Sequence, residues 1–316
     1  MKLSYLFYGN FHNKNTILIN RMKIEKPLLS TPVGHARKLQ CHAPNKATQK
    51  KIRDLARRPI TYSAIQPTRL QKVLAASGLG SRRDIEKYIL RGEISVNEKI
   101  AELGQKITPN DRVFINQKFI RLAWPNNLPR IIIYHKPEGE IVSRKDPEGR
   151  ISVFDRLPQV KSSRWICIGR LDFNSSGLLI FTTDGGLANH FAHPKFEIER
   201  EYAVRILGSL TETQKNEIYK GITLKTGLAH VTNIQEIKNN ENASNQWYRI
   251  TLKEGKNREV RELFSTLGLI VSRLIRIRFG TILLPSRLKR GQYCELNAIE
   301  VANIMKWLKH SSILHR

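Results

Sequence analysis

The chain has 316 residues, 40% of them hydrophobic and 8% aromatic, and its 54 Lys and Arg against 27 Asp and Glu leave a formal net charge of +27. That length accommodates two modest domains with cores of their own, and so lopsided a charge points to a polyanionic partner, first of all a nucleic-acid backbone, where a merely solubilising surface needs no such imbalance. No apolar run approaches the roughly 20 residues needed to cross a bilayer, and Cys41, Cys167 and Cys294, far apart and without Cys-x-x-Cys spacing or a His-rich cluster, predict a reducing compartment and no structural metal.

Residues 1–68 carry thirteen Lys and Arg against only Glu25 and Asp54, with no sustained periodicity before Lys50. This composition predicts a flexible basic arm adding salt-sensitive, sequence-blind affinity for RNA. Scarce acids also fit a targeting peptide, and Met22 offers a later start; the reading preferred is a cytoplasmic tail. At Arg69 the pattern changes. Leu70, Val73 and Leu74 mark one helical face, closed by Ser77-Gly78. Ser81 caps a second helix over 82–91, with Ile85, Ile89 and Leu90 inward and Arg82, Arg83 and Lys87 outward. Short strands follow near Ile94–Val96 and Arg112–Ile115. The strings Gly78-Leu79-Gly80-Ser81-Arg82-Arg83 and Gly92-Glu93-Ile94-Ser95-Val96-Asn97 make residues 69–116 resemble an S4 domain, a small RNA-binding module. That resemblance implies that Lys72, Arg82 and Arg83 track phosphates; two solvated basic helices are the plainer alternative.

Residues 117–129 are a linker by composition, ending in Trp124-Pro125-Asn126-Asn127-Leu128-Pro129, and a second domain spans 130–308 with a tail at 309–316. Its first strand, Ile131 to His135, ends in Lys136-Pro137-Glu138-Gly139, a tight turn. Between Asp146-Pro147-Glu148-Gly149-Arg150 and a later core lies the most informative string, Gly169 to Gly186: a polar turn holding Asp172, the apolar run Leu178-Leu179-Ile180-Phe181 of a buried strand, then Thr183-Asp184-Gly185. An Asp before Asn-Ser-Ser-Gly caps its own turn more often than not. Leu187 to Phe191 reads as a short helix, Glu199 to Arg205 as a strand carrying Tyr202, and 211–220 as an amphipathic helix. Ala229–Ile237 and Trp247–Lys253 read as strands around an exposed loop at 239–245. Asn257 caps a helix with Val260, Leu263, Phe264 and Leu267 on its core side. Lys256, Arg258 and Arg261 lie at its start, where the helix dipole disfavours positive charge, so an anionic neighbour or ligand is expected. Strands at Leu274–Phe279 and Tyr293–Leu296 bring Arg276 and Arg278 nearby, and a helix over 298–308 closes the chain.

Taken together, Gly169-Arg170-Leu171-Asp172, the Ser pair, Gly177, the apolar strand and Thr183-Asp184-Gly185 resemble the active-site segment of the pseudouridine synthases, in the branch that modifies ribosomal RNA. The Lys-Pro-x-Gly turn at Lys136 resembles another motif of that family. Asp146-Pro147-Glu148-Gly149-Arg150 with Val153-Phe154-Asp155-Arg156-Leu157-Pro158 resembles its large-subunit members most. Phe173 and Ser175 depart from the family pattern without removing a reacting group. The resemblance implies an α+β protein, a small S4 RNA-binding domain followed by a mixed or antiparallel-sheet pseudouridine synthase domain. It implies catalytic roles for Asp172, for Tyr202 against the target base and for Arg261 as the cation paired with Asp172. Lys136, Arg170, Lys256, Arg258, Arg276 and Arg278 are RNA-binding candidates beside those of the S4 unit.

The chemistry implied breaks the bond from uracil N1 to the ribose, turns the base and joins its C5 to the same carbon. It needs no metal or cofactor, and the sequence has no Walker loop or dinucleotide Gly motif. The expected partner is ribosomal RNA, of 23S type or a large-subunit assembly intermediate, and the expected protein is a cytoplasmic monomer. Alternatives are a family member acting on small-subunit ribosomal RNA or tRNA, a binding-only S4-type protein for which Asp172 is dispensable, and a metal-dependent nuclease using Asp172 and Asp184.

Overall fold

The computed structural model describes residues 66–122, 124, 128–161, 163–237 and 244–314. The basic arm predicted for 1–68 lies outside the described residues except at its last three positions, as do most of the Pro/Asn stretch and the loop at 239–243.

The first unit is built as its periodicity requires. Helix α1 (Leu70–Ala76) and helix α2 (Arg82–Leu90) pack on a sheet of four short strands, β1 (Ile94–Val96), β2 (Lys99–Ile100), β3 (Val113–Ile115) and β4 (Lys118–Ile120), in the order β2-β1-β3-β4. Leu70, Val73, Leu74, Ile85, Ile89, Ile94, Val96 and Val113 form its core. Ser81 caps α2 as expected: its hydroxyl accepts the Asp84 N–H at 3.1 Å, and the Asp84 carboxylate accepts the Ser81 N–H at 2.9 Å. Two details differ from the sequence reading. Leu90, expected inward, is exposed, because it is the last helical residue and no element covers it. Strand β4, assigned to the linker, pairs with β3 through Phe114 and Phe119, so the sheet continues past residue 116.

The larger unit is organised by a nine-stranded mixed sheet. Its path runs through β9 (Val231–Ile237), β10 (Asn245–Leu252), β8 (Arg200–Leu207), β11 (Val271–Phe279), β7 (Ser176–Thr182), β5 (Ile131–Lys136) and β12 (Tyr293–Glu295), with β6 (Ile166–Ile168) against β7 and Ile282–Leu283 against β11. Every pair is antiparallel except β7 with β11. The continuous apolar run in β7 has a simple cause. Leu179 and Phe181 belong to the core on one face, with Tyr134, Val204, Tyr248 and Phe264, while Leu178 and Ile180 belong to the core on the other, with Phe191, Phe279 and Ile304. A strand covered on both faces has no polar side to show.

Helices α3 (Val153–Arg156), α4 (Gly185–Ala192), α5 (Glu212–Lys220), α6 (Glu259–Thr266) and α7 (Ala298–Leu314) complete the unit. Helix α5, expected over 211–220, starts at Glu212 with Thr211 as its cap. Helix α7, expected to stop at 308, continues to Leu314. The start of α6 also differs. Its cap is Arg258 in a left-handed conformation (φ 51°) with no side-chain cap bond, instead of Asn257, and Glu259 and Glu262 fill the first turn. The anionic neighbours that the basic cluster called for are Glu254 and Glu259 for Lys256 and Asp172 and Glu138 for Arg261. Cys167 is a free thiol. No helix among the described residues is long and apolar enough to cross a membrane.

Candidate active site

Strand register assembles the site. Tyr202 on β8 lies opposite Arg276 on β11, Arg276 beside Gly177 on β7, and Gly177 opposite Lys136 on β5. Four adjacent strands thus place these residues in one transverse row, and the Asp172 turn enters the sheet there. Gly177 is the residue that lets the row close. Its φ is +108°, and a Cβ at this position would stand 2.3 Å from the Arg276 carbonyl oxygen, so no side chain fits.

The turn is held by its backbone. The Ser175 N–H donates to the Asp172 carbonyl at 3.1 Å and the Gly139 N–H to the Phe173 carbonyl at 3.0 Å. Lys136, fully buried, donates from Nζ toward the carbonyls of Ser175 (2.8 Å), Pro137 (2.9 Å), Asp172 (3.1 Å) and Phe173 (3.4 Å). Burial lowers its pKa to about 8, with the charges of Glu140, Asp172 and Glu138 opposing the shift. Lys136 is therefore no RNA contact. A cation at the end of a core strand is drawn inward when a turn offers it several carbonyls.

The Asp172 side chain is the exception to this satisfaction. Among the described residues its carboxylate accepts no hydrogen bond and joins no ion pair, so it does not cap its own turn. It lies on the wall of a cavity of about 690 Å³ shared with Tyr202, Arg170, Arg200, Arg258, Glu259 and Arg276, and bordered by Lys145 and Arg150 of the Asp146–Arg150 loop. Tyr202 is 8% exposed. Arg200 and Arg276 place their guanidinium carbons 4.7 and 5.0 Å from the Phe279 ring centroid. Arg200 is held by the carbonyls of Lys253 (2.8 Å) and Ile198 (3.1 Å).

Arg261 departs from the expected ion pair. Its Nη2 donates to the Asn174 carbonyl at 2.8 Å and its Nη1 to the Val271 carbonyl at 3.1 Å, so it grips the backbone of the Asp172 turn and not the carboxylate. The two charges still feel each other. Burial lowers the Arg261 pKa, Arg258 lowers it further, and Asp172 and Glu138 oppose both. Arg278 is also a correction: the register of β11 against β8 sets it opposite Glu201, and it is tied to Glu201 (2.7 Å) and Glu199 (3.0 Å). Lys256 lies on the cavity wall but is bonded to Glu254 (2.6 Å) and the Leu228 carbonyl (2.7 Å). Arg170 and Arg258 are exposed and line the cavity. Lys72 and Arg82 line a second cleft, with Lys161, Arg164 and Asp184; Arg83 is exposed on α2.

Asp184, the partner the nuclease alternative requires, is occupied elsewhere. Its carboxylate accepts the Leu187 N–H at 2.7 Å and caps α4. Among the described residues no group of three His, Cys, Asp or Glu is placed to hold a metal ion. Arg200 and Glu259 were missed by sequence reasoning. The signal for Arg200 was its place two residues before Tyr202 on one strand, which puts both on one face; for Glu259 it was the anion expected at the start of α6.

Residues 130–266 match the family model described as RNA pseudouridylate synthase, and residues 68–113 match the S4 domain. The ribosomal large subunit pseudouridine synthase B of Salmonella typhi is 48% identical over 232 residues, covering 72% of this chain and 79% of that protein. The chain belongs to the RNA pseudouridylate synthase family. The synthase B of Haemophilus influenzae is 48% identical over 259 residues, 79% of this chain and 71% of the relative. That of Pseudomonas aeruginosa is 47% identical over 234 residues, 74% of this chain but 60% of the relative. A crystal structure of a pseudouridylate synthase superposes with a TM-score of 0.51 at 23% identity, over 75% of this chain and 99% of that one, and shows the same synthase fold. The S4-plus-synthase, α+β architecture implied by the sequence is the one found.

Proposed function

We propose that this protein isomerises one uridine of large-subunit ribosomal RNA to pseudouridine, using Asp172 as the catalytic carboxylate. One observation carries the reading: in a turn tied down through its carbonyls, the Asp172 carboxylate accepts no hydrogen bond and joins no ion pair among the described residues, on the wall of a cavity lined by cations. A half-buried carboxylate kept free of protein partners is poised for a ligand, and the surrounding arginines suit the phosphates that flank an extruded nucleotide.

In this reading the uridine leaves its stack and enters the cavity base first. Asp172 meets the ribose carbon as the bond to N1 breaks, either stabilising positive charge there or bonding to it. Tyr202 lies against the uracil face. Arg261 fixes the turn through the Asn174 carbonyl. Arg170 and Arg258, exposed at the rim, engage backbone phosphates, and the S4 unit anchors the RNA through Lys72, Arg82 and Arg83. We take 23S ribosomal RNA or a large-subunit assembly intermediate as the partner, the cytoplasm as the compartment and a single chain as the working unit. These statements rest on the synthase B relatives and on the charge of the chain.

The test is Asp172→Ala. The variant is expected to fold and bind ribosomal RNA as the wild type does and to convert no uridine, read by pseudouridine mapping beside filter binding. Undiminished conversion would end the assignment.

A further inference from the structure

Three buried polar atoms of residues lining the Asp172 cavity, Ser175 Oγ, Glu259 Oε1 and Arg276 Nη2, have no partner among the described residues, and two of them belong to charged groups. Glu259 is 4% exposed; its Oε2 accepts the Lys256 N–H at 3.1 Å, and its Oε1 accepts nothing among the described residues. Arg276 is 2% exposed; its Nε donates to the Leu178 carbonyl at 2.8 Å, and its Nη2 donates to nothing among the described residues. Both residues share the cavity with Asp172 and Tyr202. A buried acceptor or donor left unmet costs about 1–3 kcal/mol. An orphan of each kind, in one cavity, calls for an occupant that presents a donor beside an acceptor.

Uracil presents that pattern. Its polar edge runs O2, N3–H, O4: a donor flanked by two acceptors. Cytosine offers a lone pair at N3, which a carboxylate oxygen repels. The isomerisation adds a second requirement, because the base must turn while it is detached. A half-turn about the line through N3 and C6 exchanges N1 with C5 and O2 with O4, and leaves N3–H where it was. An acceptor at N3 therefore holds the base before and after the turn, and a donor beside it meets one carbonyl oxygen first and the other afterwards.

We propose that Glu259 is a specificity-determining residue that accepts the N3–H of the extruded uracil through Oε1, with the Arg276 guanidinium donating to the adjacent carbonyl oxygen. The proposal rests on the reading of this cavity as the uridine site. Glu259 carries no proton in it: the N1–ribose bond breaks, the C5–ribose bond forms, the C5 hydrogen leaves as a proton and N1 gains one, while the N3–H bond to Glu259 persists. Burial raises the Glu259 pKa, which the Lys256 N–H opposes, Glu254 reinforces, and the charges of Lys256 and Arg200 oppose. A hydrogen bond from the base relieves part of that desolvation.

The experiment compares single-turnover release of the C5 hydrogen, as tritium, from a ribosomal RNA fragment carrying uridine or 3-methyluridine at the target. Wild type, Glu259→Gln and Glu259→Ala are each measured, with RNA affinity and thermal unfolding alongside. Wild type is expected to convert uridine and to be strongly slowed by the N3 methyl group. Glu259→Gln has one oxygen for two N–H donors, that of Lys256 and that of the base, and is expected to fall between wild type and Glu259→Ala on uridine. Glu259→Ala is expected to lose on the order of 10- to 100-fold on uridine, the scale of one buried charged hydrogen bond, and to lose most of its discrimination against the methyl group, the signature of a direct contact. A side chain that only caps α6 would slow both substrates alike, and an unchanged ratio in Glu259→Ala overturns the proposal. So does a wild type indifferent to the methyl group, and that result decides the matter if Glu259→Ala does not fold. A wild type that converts no uridine at all takes down the reading of the site itself.

Discussion

The position of the Asp172 turn depends on one buried ammonium. Lys136 has three N–H groups for four carbonyls, two of them within the turn that follows Asp172. The folded chain gives up this proton near pH 8, well below the unfolded chain. Below about pH 8 both states hold the proton and the contribution is flat; between there and the usual lysine range the unfolded chain holds more protons, so this group favours folding increasingly as pH rises. Turnover should move the other way, because a neutral amine has one donor fewer for the same carbonyls. Single-turnover rates are expected to fall with a midpoint near pH 8 without a matching loss of thermal stability, and a flat rate profile across that window removes Lys136 as the cause. Arg261 acts on the same turn from the opposite side. With its bond to the Asn174 carbonyl lost, Arg261→Ala is expected to lower turnover by roughly 10-fold or more, the scale of one charged hydrogen bond, with little change in RNA affinity by filter binding.

Elements place these residues through register, and the one parallel pairing is decisive. Strands β7 and β11 come together at Ser176–Gly177 and Ile275–Arg276, where the absence of a side chain on Gly177 brings Arg276 up against the Asp172 turn. Gly177→Ala adds a Cβ in van der Waals conflict with the Arg276 backbone and forces alanine into a left-handed conformation. A loss on the order of 3 kcal/mol is expected, read from urea unfolding; a loss within error would mean the two strands can part freely. In the S4 unit the corresponding device is the Ser81 cap. Ser81→Ala removes the acceptor for the Asp84 N–H and is expected to cost about 1 kcal/mol, seen as faster amide exchange in α2.

Across the molecule, cations gather at two places, and the chemistry lies at one of them. Asp172, Tyr202 and Arg276 share one cavity, while Lys72, Arg82, Lys161 and Arg164 line the cleft between the S4 unit and the sheet. Removing cations from the cleft should weaken RNA binding without touching the bond-breaking step. Lys72→Ala combined with Arg82→Ala is expected to lower affinity and to flatten its dependence on salt by roughly 0.7–0.9 in log–log slope per lost phosphate contact. Single-turnover conversion at saturating protein should stay as in wild type. A fall in that rate instead would assign the cleft a part in presenting the uridine.

Local pattern determined a good deal. Helix α2 and its Ser81 cap, helix α5, and the doubly buried strand β7 follow from spacing that any chain obeys, and the string around Asp172 carried the family. What lay beyond reach was direction. Lys136, Arg276 and Arg278 are all basic residues of strands in the sequence, yet one is buried under a turn, one is half of an unfilled hydrogen-bonding site and one is neutralised by Glu199 and Glu201. Arg261 stands close to Asp172 but bonds to backbone. A sequence states which charges exist and which strand face each takes; only packing among segments a hundred residues apart decides whether a charge meets water, a carbonyl, a carboxylate or an empty cavity, because those partners are brought together by the register of the sheet.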